Sequence, residues 1–202
     1  MIHHGTTESG ALPLSESEFR GSSLPGKATF AGVSSELVSH ANVEEALSVI
    51  KQCFPLEEDV RAAALAYHRY TSGELRYNSE FMGTNVELVC YTLYRIDGKP
   101  AGVSGVYKVD NDPGRIYMGW LGVAPEYRKS AGVTMKPLAD TIMDDTKRLG
   151  VTLGATAVAA VAEDAASNFG THRYYERHGF SVEKTFLRNG EQDRLYVCPL
   201  KD

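Results

Sequence analysis

RIYMGWLGVAPEYRKSAGVTMKPLADTIMDDTKRLG, residues 115–150, joins a strand, a loop and a helix around which the rest of the chain is arranged. Over 116–123 it reads as an apolar strand stopped by Pro125, followed by a short basic loop containing glycine and then by an amphipathic helix. Met135, Leu138, Ala139, Ile142, Thr146 and Leu149 share one helical face, with Lys136, Asp140, Asp144, Asp145, Lys147 and Arg148 elsewhere. Pro137 costs no hydrogen bond if it stands in the first turn, so the helix is expected to start near Val133 or Thr134. Gly150 is the expected stop.

A loop that feeds a helix N-terminus is an anion site in waiting. The first N–H groups of the helix have no internal partner, and the aligned peptide dipoles add about half a positive charge. Arg128, Lys129 and Ser130 add two cations and a hydroxyl, and Gly132 allows close backbone approach. The fitting guest is a phosphate or pyrophosphate.

Outward from this stretch, residues 1–27 are rich in Ser, Gly, Glu and Pro without periodicity and read as a flexible arm. The sequence predicts a first strand within 28–39, a helix capped by Asn42, and a second helix over 57–71 ending at Gly73. An aromatic and polar loop over 74–85 follows. Strands over 86–96, 101–109 and 116–123, joined by short Asp/Gly/Pro turns, make an antiparallel meander. Residues 151–158 are β-prone and reached by a crossover, which predicts a strand parallel to 116–123. A helix opened by Asp164 or Ser167 and ending at Arg177, then strands over 180–187 and 194–200 around an Asn189-Gly190 turn, close the chain. His172 and His178 fall on different faces of that helix and read as surface residues.

Composition bounds the function. The chain has 202 residues, 43% hydrophobic and 23% charged, which fits one globular domain over 28–202. Its net charge of −5 argues against a nucleic-acid surface. No apolar run approaches the roughly 18 residues a membrane helix needs, and no secretory signal opens the chain, so a cytoplasmic protein is expected. Cys53, Cys90 and Cys198 lie far apart without a C-x-x-C pair, which suggests buried thiols and no metal site. Nucleophile elbows, Walker loops, dinucleotide fingerprints and zincin pairs are absent from the sequence.

Two segments resemble a known family. L-G-V-A-P-E-Y-R-K-S-A-G-V-T, residues 121–134, is similar to motif A of the GNAT N-acetyltransferase superfamily, and N-F-G-T-H-R-Y-Y-E-R-H-G-F, residues 168–180, is similar to its motif B. The resemblance implies an α/β fold with a mixed, mostly antiparallel, splayed sheet of six to seven strands and about four helices. It implies acetyl-CoA as co-substrate, its pyrophosphate held by Arg128, Lys129, Ser130, Ala131, Gly132, Val133 and Thr134. Counting the loop from Arg128 or from Lys129 assigns different side chains to the small positions, but both registers use these residues. The main chain of Leu121 and Val123 would take the pantetheine arm, with Asn168 also contacting it, and one backbone N–H there could polarise the thioester carbonyl.

By the same resemblance Tyr175 takes the general-acid place. A thiolate with pKa about 8.5 can be protonated by a tyrosine with pKa about 10 within hydrogen-bond reach. The partner implied is an amine-bearing acceptor, with no covalent enzyme intermediate, and a homodimer is compatible. Glu80, Glu87, Glu163 and Asp164 are candidates for the base on position alone, beside a relayed water. The rival reading is a non-catalytic coenzyme A binding or sensing module of the same fold.

Overall fold

Residues 32–80, 82–128, 137–164, 169–188 and 190–200 are described by the computed structural model and form an eight-stranded mixed sheet with four α-helices. Strand β1 (Val33–Leu37) leads through helices α1 (Val43–Cys53) and α2 (Glu57–Ser72) to β2 (Arg76–Ser79), β3 (Thr84–Ile96), β4 (Lys99–Val109) and β5 (Arg115–Val123). Helix α3 (Leu138–Thr152), β6 (Ala157–Glu163), α4 (Phe169–Arg177), β7 (Ser181–Arg188) and β8 (Glu191–Pro199) follow. The strand order is β1-β3-β4-β5-β6-β8-β7, with β2 also paired to β3. Only β5 and β6 run parallel; the other pairs are antiparallel.

Local chemistry explains the meander. Ile96 pairs with Lys99 around Asp97 and Gly98, both at positive φ, which is the two-residue turn whose twist suits a hairpin. Helices α1 and α2 cover one face, where Ala46, Leu47, Ile50, Ala63 and Tyr67 share a core with Leu88, Leu93 and Val103. Helix α3 covers the other, with Met143 and Leu149 against Val106, Ile116 and Val158. At Gly105 the sheet must come close: an added Cβ would lie 2.3 Å from Tyr91 Cε1, and the Tyr91 ring is held by Tyr67 at 4.3 Å. Gly105→Ala is expected to cost about 2–3 kcal/mol by overpacking, read by urea denaturation; an unchanged midpoint would show that Tyr91 can move aside.

Several sequence expectations shift. The predicted loop over 74–85 contains β2, whose Arg-Tyr-Asn-Ser has no apolar alternation and is tied instead by Arg76 to Asp110 at 2.6 Å. Gly150 does not stop α3. It is buried inside the helix, where its missing Cβ makes room for Ile116 and Leu200, and the chain turns at Gly154, φ +67. The following strand is therefore 157–163, not 151–158. Pro137, with ψ 140, precedes the helix rather than lying in its first turn; the residue before a proline is also steered away from helical angles. Asn42 does stand before α1, but its side chain accepts from the Ser39 N–H and donates to the Leu37 carbonyl instead of capping. Residues 28–31 and 133–136, parts of the first predicted strand and of the predicted helix start, lie outside the described residues, as does Asn189.

Candidate active site

Strands β5 and β6 part midway. Their ladder runs from Arg115 and Ala157 to Met118 and Ala160 and then ends, although β5 continues to Val123 and β6 to Glu163. The cause lies on the other side of β5. Between the pairs Val103–Gly122 and Gly105–Gly119, the single residue Ser104 faces both Trp120 and Leu121, and Trp120 sits at φ +55. That is a β-bulge, which bends its strand and increases twist, turning β5 away from β6. Glycines on both sides of Trp-Leu inside a strand are the signal of it in the sequence.

Leu121 and Val123 both lie on this free half of β5, the stretch expected to meet a pantetheine arm. Arg128 folds back here: its Nε donates to the Val123 carbonyl at 2.8 Å. Burial pushes the nearby Cys53 thiol up, while the Arg128 guanidinium pulls it the other way. Arg128 thus braces the end of β5 against α1. Lys129, Ser130, Ala131, Gly132, Val133, Thr134 and Asn168 lie outside the described residues.

Helix α4 is bolted to the first turn of α3. Tyr174 donates to the Ala139 carbonyl at 2.6 Å, His178 Nε2 lies 2.9 Å from Asp140, Arg177 pairs with Asp140 at 3.2 Å, and Lys147 donates to the His178 carbonyl. His178 is therefore no surface residue. His172 is buried outright, its Nδ1 sharing a hydrogen bond with the Tyr196 hydroxyl at 2.8 Å. The six-residue spacing of the two histidines on one helix does not reveal this, because their partners come from β8 and α3.

Tyr175 lies half-buried in the cluster that also holds Met118, Ala160 and Leu121, residues at or beside the point of parting. Its ring packs on Tyr196 at 5.1 Å and on Phe180 at 5.4 Å. Burial first, then the neighbouring Tyr196, pushes its hydroxyl up to about 12. The phenol stays protonated at neutral pH, as an acid must. On the α1/α2 side, Tyr107 covers Gly119, whose added Cβ would lie 3.1 Å from Tyr107 Cε1, so an aromatic floor begins where the strands separate.

Of the four carboxylates considered as a base, Glu80 is exposed in the turn after β2, and Glu87 faces Arg76 and Lys108 across the sheet. Glu163 and Asp164 stand at the free end of β6. Glu163 pairs in register with the fully buried Asp193, and Asp164 accepts from Arg194 Nη2 at 2.5 Å. Glu163 falls inside this parallel strand because the strand covers 157–163 rather than 151–158. Among the described residues no three His, Cys, Asp or Glu side chains gather as a metal site, and no helix is long and apolar enough to cross a membrane.

A parallel pair thus opens beside a bulge, with the Tyr175 ring of α4 in the core cluster alongside. The profile of the "Acetyltransferase (GNAT) family" matches residues 56–180, and the chain belongs to that family. No curated protein matches it. Among solved structures, a GNAT-family protein from Desulfovibrio desulfuricans is 18% identical over 84% of this chain and 99% of its own, with a TM-score of 0.66. The Escherichia coli ribosomal-protein-S18-alanine N-acetyltransferase is 14% identical over 84% and 95%, TM-score 0.57. An Elizabethkingia anophelis GNAT acetyltransferase with acetyl-CoA bound is 10% identical over 84% and 99%, TM-score 0.55. These likenesses show the fold.

Proposed function

We propose that this acetyltransferase moves an acetyl group from acetyl-CoA directly to a primary amine of a small molecule or peptide, as a cytoplasmic enzyme. The observation that supports the reading best is the parting of β5 and β6 after Met118 and Ala160. Strand backbone that has lost its ladder partner needs hydrogen bonds, and a pantetheine chain offers amides of the same kind. In this reading Leu121 and Val123 hold that arm with Asn168, and the loop from Arg128 to Thr134 holds the pyrophosphate.

The amine nitrogen attacks the thioester carbonyl, and the C–S bond breaks as the amide forms. Tyr175 gives its proton to the departing sulfur. The nitrogen releases its surplus proton to a base or water, from which Tyr175 is restored, so the net proton passes from amine to thiol. In this reading Glu163, in the half of β6 beyond its last pair with β5, receives it. Binding both reactants in one cleft supplies much of the rate by fixing their approach.

The test is thiol release from acetyl-CoA against a panel of amines, from polyamines to aromatic amines and peptide N-termini. Release that depends on one class of amine is the expected result. Tight coenzyme A binding with no turnover on any amine would replace the enzyme with a sensing module.

A further inference from the structure

A polar cluster that plays no part in the scheme above sits against Tyr175. Tyr196 is the register partner of Ala160, the last β6 residue paired with β5, and Arg194 is the partner of Ala162, just beyond the point of parting. Tyr196 is fully buried and packed on Tyr175, and His172 stacks on it from α4 at 5.8 Å while sharing the 2.8 Å hydrogen bond with its hydroxyl. Arg194 pairs with Asp164 at 2.5 Å. The far nitrogen of the imidazole, His172 Nε2, is buried without a hydrogen-bond partner, with Asp164 Oδ1 3.9 Å away. Arg194 Nε is likewise buried and unsatisfied.

Core packing alone does not explain this arrangement. Buried polar groups without partners are costly, and an apolar pair of similar shape would fill the space without that cost. What the cluster achieves is directional. The hydroxyl of Tyr196 is held by His172, which fixes the plane of its ring, and that ring is the surface on which the Tyr175 ring rests. His172 and Tyr175 lie on one short helix, so the same bond also fixes how α4 is rotated over β8.

We propose that His172 and Tyr196 are positioning residues that set the Tyr175 hydroxyl at the departing sulfur, an inference that rests on Tyr175 being the proton donor. A misplaced catalytic group loses rate without losing binding, so kcat carries the effect and cofactor affinity does not.

The experiment compares wild type with Tyr196→Phe, His172→Leu, His172→Asn and Tyr175→Phe, and with Tyr196→Phe added to Tyr175→Phe. The amine giving fastest thiol release serves as acceptor, coenzyme A affinity is measured by calorimetry, and folding is checked by thermal denaturation. Tyr196→Phe and His172→Leu are expected to lower kcat about tenfold or more, with the acetyl-CoA KM and the coenzyme A Kd within about twofold. His172→Asn, whose amide can still bond the Tyr196 hydroxyl, restores most of the rate. In the Tyr175→Phe background the Tyr196 change costs nothing further. Normal kcat in both single variants overturns the proposal, and so does an equal further loss in the Tyr175→Phe background or failure of His172→Asn to rescue. If Tyr175→Phe is itself fully active, the proton-donor reading falls first and takes the positioning role with it. If Tyr175→Phe is slow while the other variants are normal, only the positioning role falls.

Discussion

Tyr175→Phe is expected to lower kcat by about 100-fold or more while leaving coenzyme A affinity within about twofold, the usual scale for loss of a positioned proton donor. The ring is kept, so packing against Phe180 and Tyr196 survives and only the hydroxyl is removed. The pH dependence carries a second signature. An acid works while protonated, and burial holds this hydroxyl up to about 12. The fall in kcat caused by its ionisation is therefore displaced to pH near 12, whereas an exposed tyrosine would give it near pH 10. Steady-state profiles between pH 7 and 10.5 check this: a limb in that interval that disappears in Tyr175→Phe would contradict the environment described here.

Gly132→Asp is expected to weaken coenzyme A binding by about 100-fold or more. If, as proposed, the loop of residues 128–134 holds the pyrophosphate, the substitution adds a side chain where backbone would approach the ligand and a negative charge that would face two phosphates. Two like charges about 4 Å apart repel by about 4 kcal/mol near a protein surface, which exceeds what a hundredfold loss requires. Calorimetric titration with coenzyme A reads the effect directly, with thermal denaturation as the folding control. Unchanged affinity would remove residues 128–134 as the seat of the pyrophosphate.

How legible this was in the sequence differs from element to element. The meander was readable because its strands are long, apolar and joined by turns of two to five residues that announce themselves, such as Asp97-Gly98. The α1 and α2 stripes were readable for the same reason: one helix, one apolar face. Gly150 misled because a glycine serves both as a helix stop and as a place of close packing, and only the approach of Ile116 and Leu200 tells which. That error slid the next strand by six residues and hid the position of Glu163. β2 escaped because an edge strand of polar residues has no pattern to find.

For the site, the local motifs pointed to the right helices, while the contacts between helices stayed invisible. Tyr175 was named from its motif; that Tyr196, from β8, packs on it is a property of the sheet order β6-β8-β7. The same holds for His172 and His178, which look alike in sequence and are gripped by opposite neighbours, Tyr196 and Asp140. The parting of β5 from β6 depends on one bulged residue pair, and a strand with a bulge reads almost like one without.

Backbone hydrogen exchange over residues 119–123 reports whether the pantetheine arm lies between the parted strands. These residues lie on the half of β5 that has no β6 partner. With the protein saturated by coenzyme A, as shown by calorimetry on the same sample, amides in this segment are expected to exchange at least about tenfold more slowly than in the free protein, because the pantetheine arm supplies the partners the sheet withholds. Exchange in this segment that is the same with and without bound coenzyme A would mean that the arm does not lie between the parted strands, and the acetyl-transfer account would fail with it.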